Sequence, residues 1–260
     1  MTSAGYFGTQ DQIRLQKKSD RLTPWIMKTP GACVTGRVIC ADDPAIFGWP
    51  QVRAHLVEDG AFGFRWMSPA QIAEIDAELA GTGATLHQWQ GFFGTAADIQ
   101  AATAATVSSD LPAGLTQRTA SRDDLPKVQA FLTAQGIAPL STAALGGDLF
   151  RAAVQLIVAP RDRIVAAGWS GMPQNRHSGL ANMAWVGLIA VDPQMRGQSL
   201  GARINALALM HAVTAFGAEA AIEFASAENA ASIAMIRGSG LRPHQNVSAV
   251  ATLDGNKLTR

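Results

Sequence analysis

Apolar and polar positions follow regular patterns through the second half of the chain. The stretch "GLTQRTA" reads as a strand, and "DDLPKVQAFLTAQG" as a helix with Pro126 in its first turn and Asp123 or Asp124 as cap. A shorter helical segment covers Thr142 to Ala152. Then "VQLIVAP" and "DRIVAAGWSG" break at Arg161 and Asp162, as two antiparallel strands joined by a tight turn would. "NMAWVGLIAV" is a longer apolar strand, and "SLGARINALALMHAVTAFG" a helix that stops at Gly217. "AAIEFAS" is a strand, "ENAASIAMIRGSG" a helix ending at Gly238 or Gly240, and "NVSAVATL" a last strand. The expected order is βααβββαβαβ.

The first half is less regular. "ACVTGRVICA" predicts a strand, "SPAQIAEIDAELAGTG" a helix with Ser68 as N-cap and Gly81 as stop, and "TLHQWQGFF" another strand. From Thr95 to Leu115 an Ala-rich helical composition drifts into Ser-Ser-Asp and a proline. That drift predicts a boundary, with an α+β domain at residues 1–108 and a second domain at 109–260. Phe47, Trp49, Phe62, Phe64, Trp66, Trp89, Phe92 and Phe93 lack densely interleaved Arg and Lys. They therefore read as core and inter-domain packing rather than a platform for bases.

The 260 residues are 48% hydrophobic with a formal charge of +1, which excludes a disordered chain and a globally basic nucleic-acid binder. Cys33 and Cys40 match neither a CxxC pair nor a zinc ligand set, and read as reduced thiols; no metal is expected. The first residues lack the apolar core of a signal peptide, and no run approaches the ~20 apolar residues of a membrane span. A cytoplasmic protein without a membrane partner is the expectation.

One loop carries chemistry. In "VDPQMRGQSLGARI", Val191 to Ile204, a strand gives way to a turn and a helix N-terminus, where backbone N–H groups lack partners and the helix dipole favours an anion. Gly197 and Gly201 remove side chains that would keep a phosphate from the backbone. The loop is neither a GxxxxGK[ST] P-loop nor a GxGxxG dinucleotide turn.

"IAVDPQMRGQSLGARI" resembles the acetyl-CoA-binding motif of the GCN5-related N-acetyltransferases, a V-x-P followed by an R/Q-x-x-G-x-G/A loop and a long helix. "ENAASIAMIRGSGLRP" resembles the family's later N-x-x-A-x-x-x-Y-x-x-x-G-F segment, so the likeness runs from Leu111 onward. It implies an α/β (α+β) fold: a mixed, mostly antiparallel central sheet flanked by helices, with a smaller N-terminal α+β domain. It also implies that the strand ending Ile189, Ala190 and Val191 splays from its neighbour to pair with pantetheine. Gly197, Gln198, Ser199, Leu200, Gly201 and Ala202 would hold the pyrophosphate, Asn229 the cofactor arm, and Arg196 would be a secondary contact.

The chain departs from the family at Ser199, where Gly is usual, and at Ile236, where many members carry a Tyr that protonates the leaving thiolate; the one Tyr is Tyr6. A thiol with a pKa near ~8.5 leaves with roughly 2 kcal/mol of protonation to recover at neutral pH, so transfer without that acid is feasible. Glu223 is the expected general base, although it stands one residue from the family position, which falls on Phe224, and strand alternation would then turn it to the other face. His177 and His244, on loops, are further base candidates, and a backbone N–H near Leu188 and Ile189 would stabilise the oxyanion.

The expected function is transfer of an acetyl group from acetyl-CoA to a small-molecule or peptide amine by direct attack. No covalent enzyme intermediate is expected, because neither Cys lies in the matching region. The alternative is a CoA-binding regulatory or protein-interaction module whose catalysis has decayed. The N-terminal domain reads as a partner reader or as a reduced second copy of the same fold, without a CoA loop of its own. A homo-oligomer is compatible with either function, nucleic acid is not an expected partner, and the acceptor is left open.

Overall fold

The computed structural model describes residues 5–253. Its elements run α1 (Gln10–Ile26), β1 (Ala32–Val34), β2 (Ile39–Ala41), α2 (Pro44–Phe47), α3 (Trp49–Asp59), β3 (Ala61–Met67), α4 (Pro69–Leu79), β4 (Thr85–Thr95) and α5 (Ala96–Ser108). They continue with β5 (Thr116–Thr119), α6 (Leu125–Ala134), α7 (Thr142–Gly146), β6 (Ala152–Ala159), β7 (Arg163–Gly171), β8 (Met183–Val191), α8 (Leu200–Ala215), β9 (Ala220–Ala225), α9 (Ala230–Gly238) and β10 (Arg242–Thr252). The strands form one sheet in the order β1-β2-β3-β10-β4-β9-β8-β7-β6-β5. Neighbours are antiparallel except β2 with β3 and β8 with β9.

Helices cover both faces. On β6, Leu156 and Val158 join Val128 and Leu132 of α6, while Ile157 and Ala159 join Leu200 and Ile204 of α8. A strand buried on both sides has to be apolar at every position, which is why "LIVA" shows no alternation. Each of these leucine, isoleucine and valine side chains contributes about 1.5–3 kcal/mol by leaving water. At the expected tight turn Arg161 and Asp162 take φ of 65° and 55°, the left-handed pair that suits strand twist.

The first half departs more from its sequence pattern. "ACVTGRVICA" is two strands, because Gly36 at φ 73° turns the chain and the Thr35 hydroxyl donates to the Val38 carbonyl at 3.0 Å. The aromatic run "AFGFRWM" is a strand, β3, buried at every position but Trp66. The expected boundary stretch is mostly helix: Thr95 and Asp98 form a capping box that starts α5. Arg203 of α8 holds that segment, donating to the carbonyls of Thr106 and Ser109 and, at 2.7 Å, to Gln117.

Sheet and core both cross the division expected between residues 108 and 109. β10, from the second half, lies between β3 and β4; β4, from the first, lies between β10 and β9. Removing either half would therefore open a row of strand hydrogen bonds in the other. One core joins Val34, Ile39 and Phe62 to Leu156, Trp169 and Ala249. Asn175 adds a polar tie, its side-chain N–H group directed at the carbonyls of Ile26, Thr29 and Ala32 at 3.0, 2.9 and 2.7 Å.

Candidate active site

β8 and β9 pair only through Met183 with Ala220, Ala184 with Ala221 and Trp185 with Ile222. Beyond Trp185 they diverge, β9 continuing on β4 and β8 on β7. A bulge sits in the diverging part: the β7 register jumps from Gly187 opposite Trp169 to Ala190 opposite Ala167, leaving Leu188 and Ile189 outside it, with Leu188 at φ 53°. Gly168 makes the bulge fit, since a Cβ there would meet Ile189 Cδ1 at 2.9 Å and the Ile204 carbonyl at 3.2 Å.

The quoted loop follows at once. Asp192 shapes its start, accepting from the Gln194 amide at 2.9 Å and from Arg163 at 2.5 Å, while its own amide donates to Val165 at 2.8 Å. Gly197 at φ 79° and Ser199 at φ 57° then turn the chain into α8, and Ser199 gives the helix no side-chain cap. A non-glycine residue in that region carries strain of about 1 kcal/mol or more. The amides of Gly197, Gln198, Ser199 and Leu200 have no hydrogen-bond partner among the described residues, and Gly197, Gln198 and Ser199 are exposed. Gly201 has an ordinary φ, and a Cβ there would find only van der Waals neighbours, Met235 Sδ at 3.7 Å and Val191 Cγ2 at 3.8 Å. Neither fold nor packing demands glycine there, yet glycine costs a helix about 1 kcal/mol against alanine. Bare amides, a helix dipole and an uncovered first turn suit a pyrophosphate.

Beside the bulge lies a cavity of about 480 Å³. The second half contributes Val186 to Ile189, Phe224 of β9 and Asn229, whose side chain also caps α9 by accepting from the Ser232 amide at 3.0 Å. The first half contributes Thr35, Arg37, Val38, Cys40, Phe64, Arg65 and Trp89, and β10 adds Ser248. No Asp, Glu or His lines it. The charged lining residues are Arg37 and Arg65; burial lowers both pKa values, that of Arg37 to about 10 with further repulsion from Arg65. No cluster of His, Cys, Asp and Glu suited to a metal ion occurs among the described residues.

Of the expected site residues, Ile189 and Asn229 line this cavity. Ala190 is buried and Val191 half-buried at the end of β8. Arg196 and Gly197 to Ala202 lie beyond them on the loop and first turn of α8. Glu223 is on the other face of β9: it is 2% exposed, accepts from Asn205 of α8 at 3.0 Å, and does not line the cavity. Burial pushes its pKa up to about 8, and the bond from Asn205 opposes that rise. Strand alternation is the reason, since the next residue, Phe224, is the one that faces the cavity. His177 and His244 are outside the lining too; His244 stacks on Trp66 with centroids 4.7 Å apart. Ile236 is buried in the core behind α9.

Sequence reasoning missed the contribution of the first half. Cys40 lies in the cavity wall, and Arg65 enters from β3. The available signal was the single charge inside "AFGFRWM", an arginine in an otherwise apolar strand.

No protein-family model matches the chain, and no curated protein matches its sequence. Its structure is similar to that of a GCN5-related N-acetyltransferase from Kribbella flavida, with TM-score 0.59 and 15% identity, covering 93% of this chain and 96% of that one. A GCN5-related N-acetyltransferase-like protein from Streptococcus suis gives TM-score 0.53 and 13% identity over 93% and 99% of the two chains. A tandem GNAT protein from the clavulanic acid biosynthesis pathway gives 0.56 and 14% over 85% and 76%. The chain thus has the fold of the GCN5-related N-acetyltransferases. The likeness extends through the first half as well as the residues from Leu111 onward.

Proposed function

We propose that this chain is an acyl-CoA-dependent N-acyltransferase that moves an acetyl group to a small amine. The observation that carries the proposal is the run from diverging strands, through the bulge at Leu188 and Ile189, into the uncapped N-terminus of the 16-residue helix α8. Coenzyme A would supply a thioester-activated acyl group. The loop amides from Gly197 to Leu200 would hold the pyrophosphate, and the free edge of β8 from Ile189 to Val191 would pair with the pantetheine amides. Leu188 and Ile189, outside the β7 register, offer backbone N–H groups to the thioester oxygen.

The amine nitrogen forms its bond to the acyl carbon as the carbon–sulfur bond breaks, and the amine proton ends on thiol or water. A lining without carboxylate or imidazole gives the chain no base for an ammonium ion, so the amine has to react from its neutral form. Turnover should therefore rise with pH toward the acceptor amine's own pKa, with no plateau near neutrality. A cleft of about 480 Å³ is of the size that takes a small-molecule acceptor.

A second reading, a CoA-binding module without turnover, is favoured by Ile236 and by the same lack of a base. Calorimetric titration with acetyl-CoA, followed by thiol release with a panel of amines, separates the two. Binding with release supports the transferase, and binding without release on any amine supports the module. No binding defeats both.

A further inference from the structure

Arg65 is the cavity's least explained residue. It is 6% exposed, yet its guanidinium makes no hydrogen bond and no ion pair among the described residues. It is held over aromatic rings from both diverging strands, 4.3 Å from the Trp185 centroid and 5.0 Å from that of Phe224. Such cation–π contacts offset part of the desolvation of a cation, but they supply no acceptor for its N–H groups. The ionisable groups acting on it are the thiols of Cys40 and Cys33 and, through repulsion, the guanidinium of Arg37. Arg37 is half satisfied: it donates to the Ala138 carbonyl, while its buried Nε has no partner. The Arg65 nitrogens keep access to the cavity, where water or an anion from outside can complete them, and a carboxylate does so with charge as well as hydrogen bonds.

We infer that the cavity recognises a carboxylate, bound edge-on by Arg65 with Arg37 as the second donor, and that the acceptor amine carries it. The class is an amino acid with an apolar side chain, which the aromatic walls at Trp89 and Phe64 would receive. The inference rests on the transferase reading for the acceptor's role, but carboxylate binding itself does not depend on turnover. The bulge near Trp66, where φ is 64° and the β10 register shifts beside Ser248, lies next to Arg65 in β3. The strand is thus irregular at the point where its one charge enters the cavity.

The test is binding, read by calorimetry with and without CoA, of apolar α-amino acids, each beside its primary amide and its decarboxylated amine. Succinyl-CoA against acetyl-CoA forms a second arm, which asks whether the acyl group carries the carboxylate instead. A charge-assisted bidentate contact predicts that an acid binds at least ~10-fold more tightly than its amide. Arg65→Gln should bring that preference to within about threefold, and Arg65→Lys should keep part of it. Tighter, Arg65-dependent binding of succinyl-CoA would support carboxylate recognition and assign the carboxylate to the acyl group. Acids and amides binding alike in the unmodified protein, with no preference for succinyl-CoA, would overturn the inference whatever the variants do; so would a preference that survives Arg65→Gln in a folded protein. Loss of acetyl-CoA binding alongside an intact acid preference would instead defeat the transferase reading alone.

Discussion

β3 runs into α4 much as β8 runs into α8. Each strand carries a non-glycine residue at positive φ near its end, Trp66 at 64° and Leu188 at 53°, and each is followed by a helix and then a further strand. They differ in what is left open. At α4 the Ser68 side chain accepts from the Gln71 amide and the Gln71 side chain accepts from the Ser68 amide, so a capping box satisfies the helix start. At α8 an eight-residue loop intervenes, and Ser199 caps nothing. The gap between β3 and β4 is filled by β10, whereas β8 and β9 diverge. One strand-to-helix unit has been closed by protein groups, and the other keeps backbone donors and strand edge available to a ligand.

The largest test of that contrast places the same charge at the second residue of each helix. Gly201→Glu should weaken acetyl-CoA binding at least ~100-fold by setting a carboxylate where phosphate would lie, with the melting temperature preserved because the site has room for a Cβ. Ala70→Glu, exposed at the matching position of α4, should leave acetyl-CoA affinity within about twofold, and a carboxylate there even suits the helix dipole. Equal effects of the two substitutions on affinity, measured calorimetrically, would break the distinction.

This difference was partly legible in the sequence. The β8 loop announced itself through Pro193, Gly197 and Gly201 between an apolar strand and a helical period, and Ser68 with Gln71 spelled the α4 cap. Local spacing carries such features. What spacing could not carry was β10 entering between β3 and β4, or Arg65 meeting Trp185 and Phe224, because those contacts join residues more than a hundred positions apart. Glu223 faces away from the cavity for a related reason. The alternation of a strand was known, but which of its faces would meet a cavity depends on the elements packed against it.

The two faces of β9 sharpen the comparison next. Glu223 ionises near its ordinary value of 4.5 in the unfolded chain but only near 8 when folded. Between those values the unfolded state binds fewer protons, so stability falls as pH rises from about 4.5 to 8 and is level on either side. Glu223→Gln removes the charge and keeps the shape, and its new N–H group could serve the unpartnered Asn205 Oδ1. It should stabilise the fold by about 1–3 kcal/mol at pH 8 and by far less at pH 4, in denaturant titrations. A base in the cavity would instead lose turnover with no gain in stability, and that result would return Glu223 to the site.

The smallest effects lie at the caps themselves. Ser68→Ala should destabilise the fold by about 1 kcal/mol, since it deletes the acceptor for the Gln71 amide. Ser199→Gly should act in the other direction: it relieves a left-handed serine, worth roughly 1–2 kcal/mol, and gives back about 0.5–1 kcal/mol through the freer unfolded chain. A net gain of about 0.5 kcal/mol follows, read as a small rise in melting temperature. If backbone amides carry the affinity of this loop, acetyl-CoA binding should weaken by no more than about threefold in the same variant. A larger loss would mean that the Ser199 hydroxyl itself binds, and that the strain at this position is retained for a side-chain contact rather than for the path of the backbone.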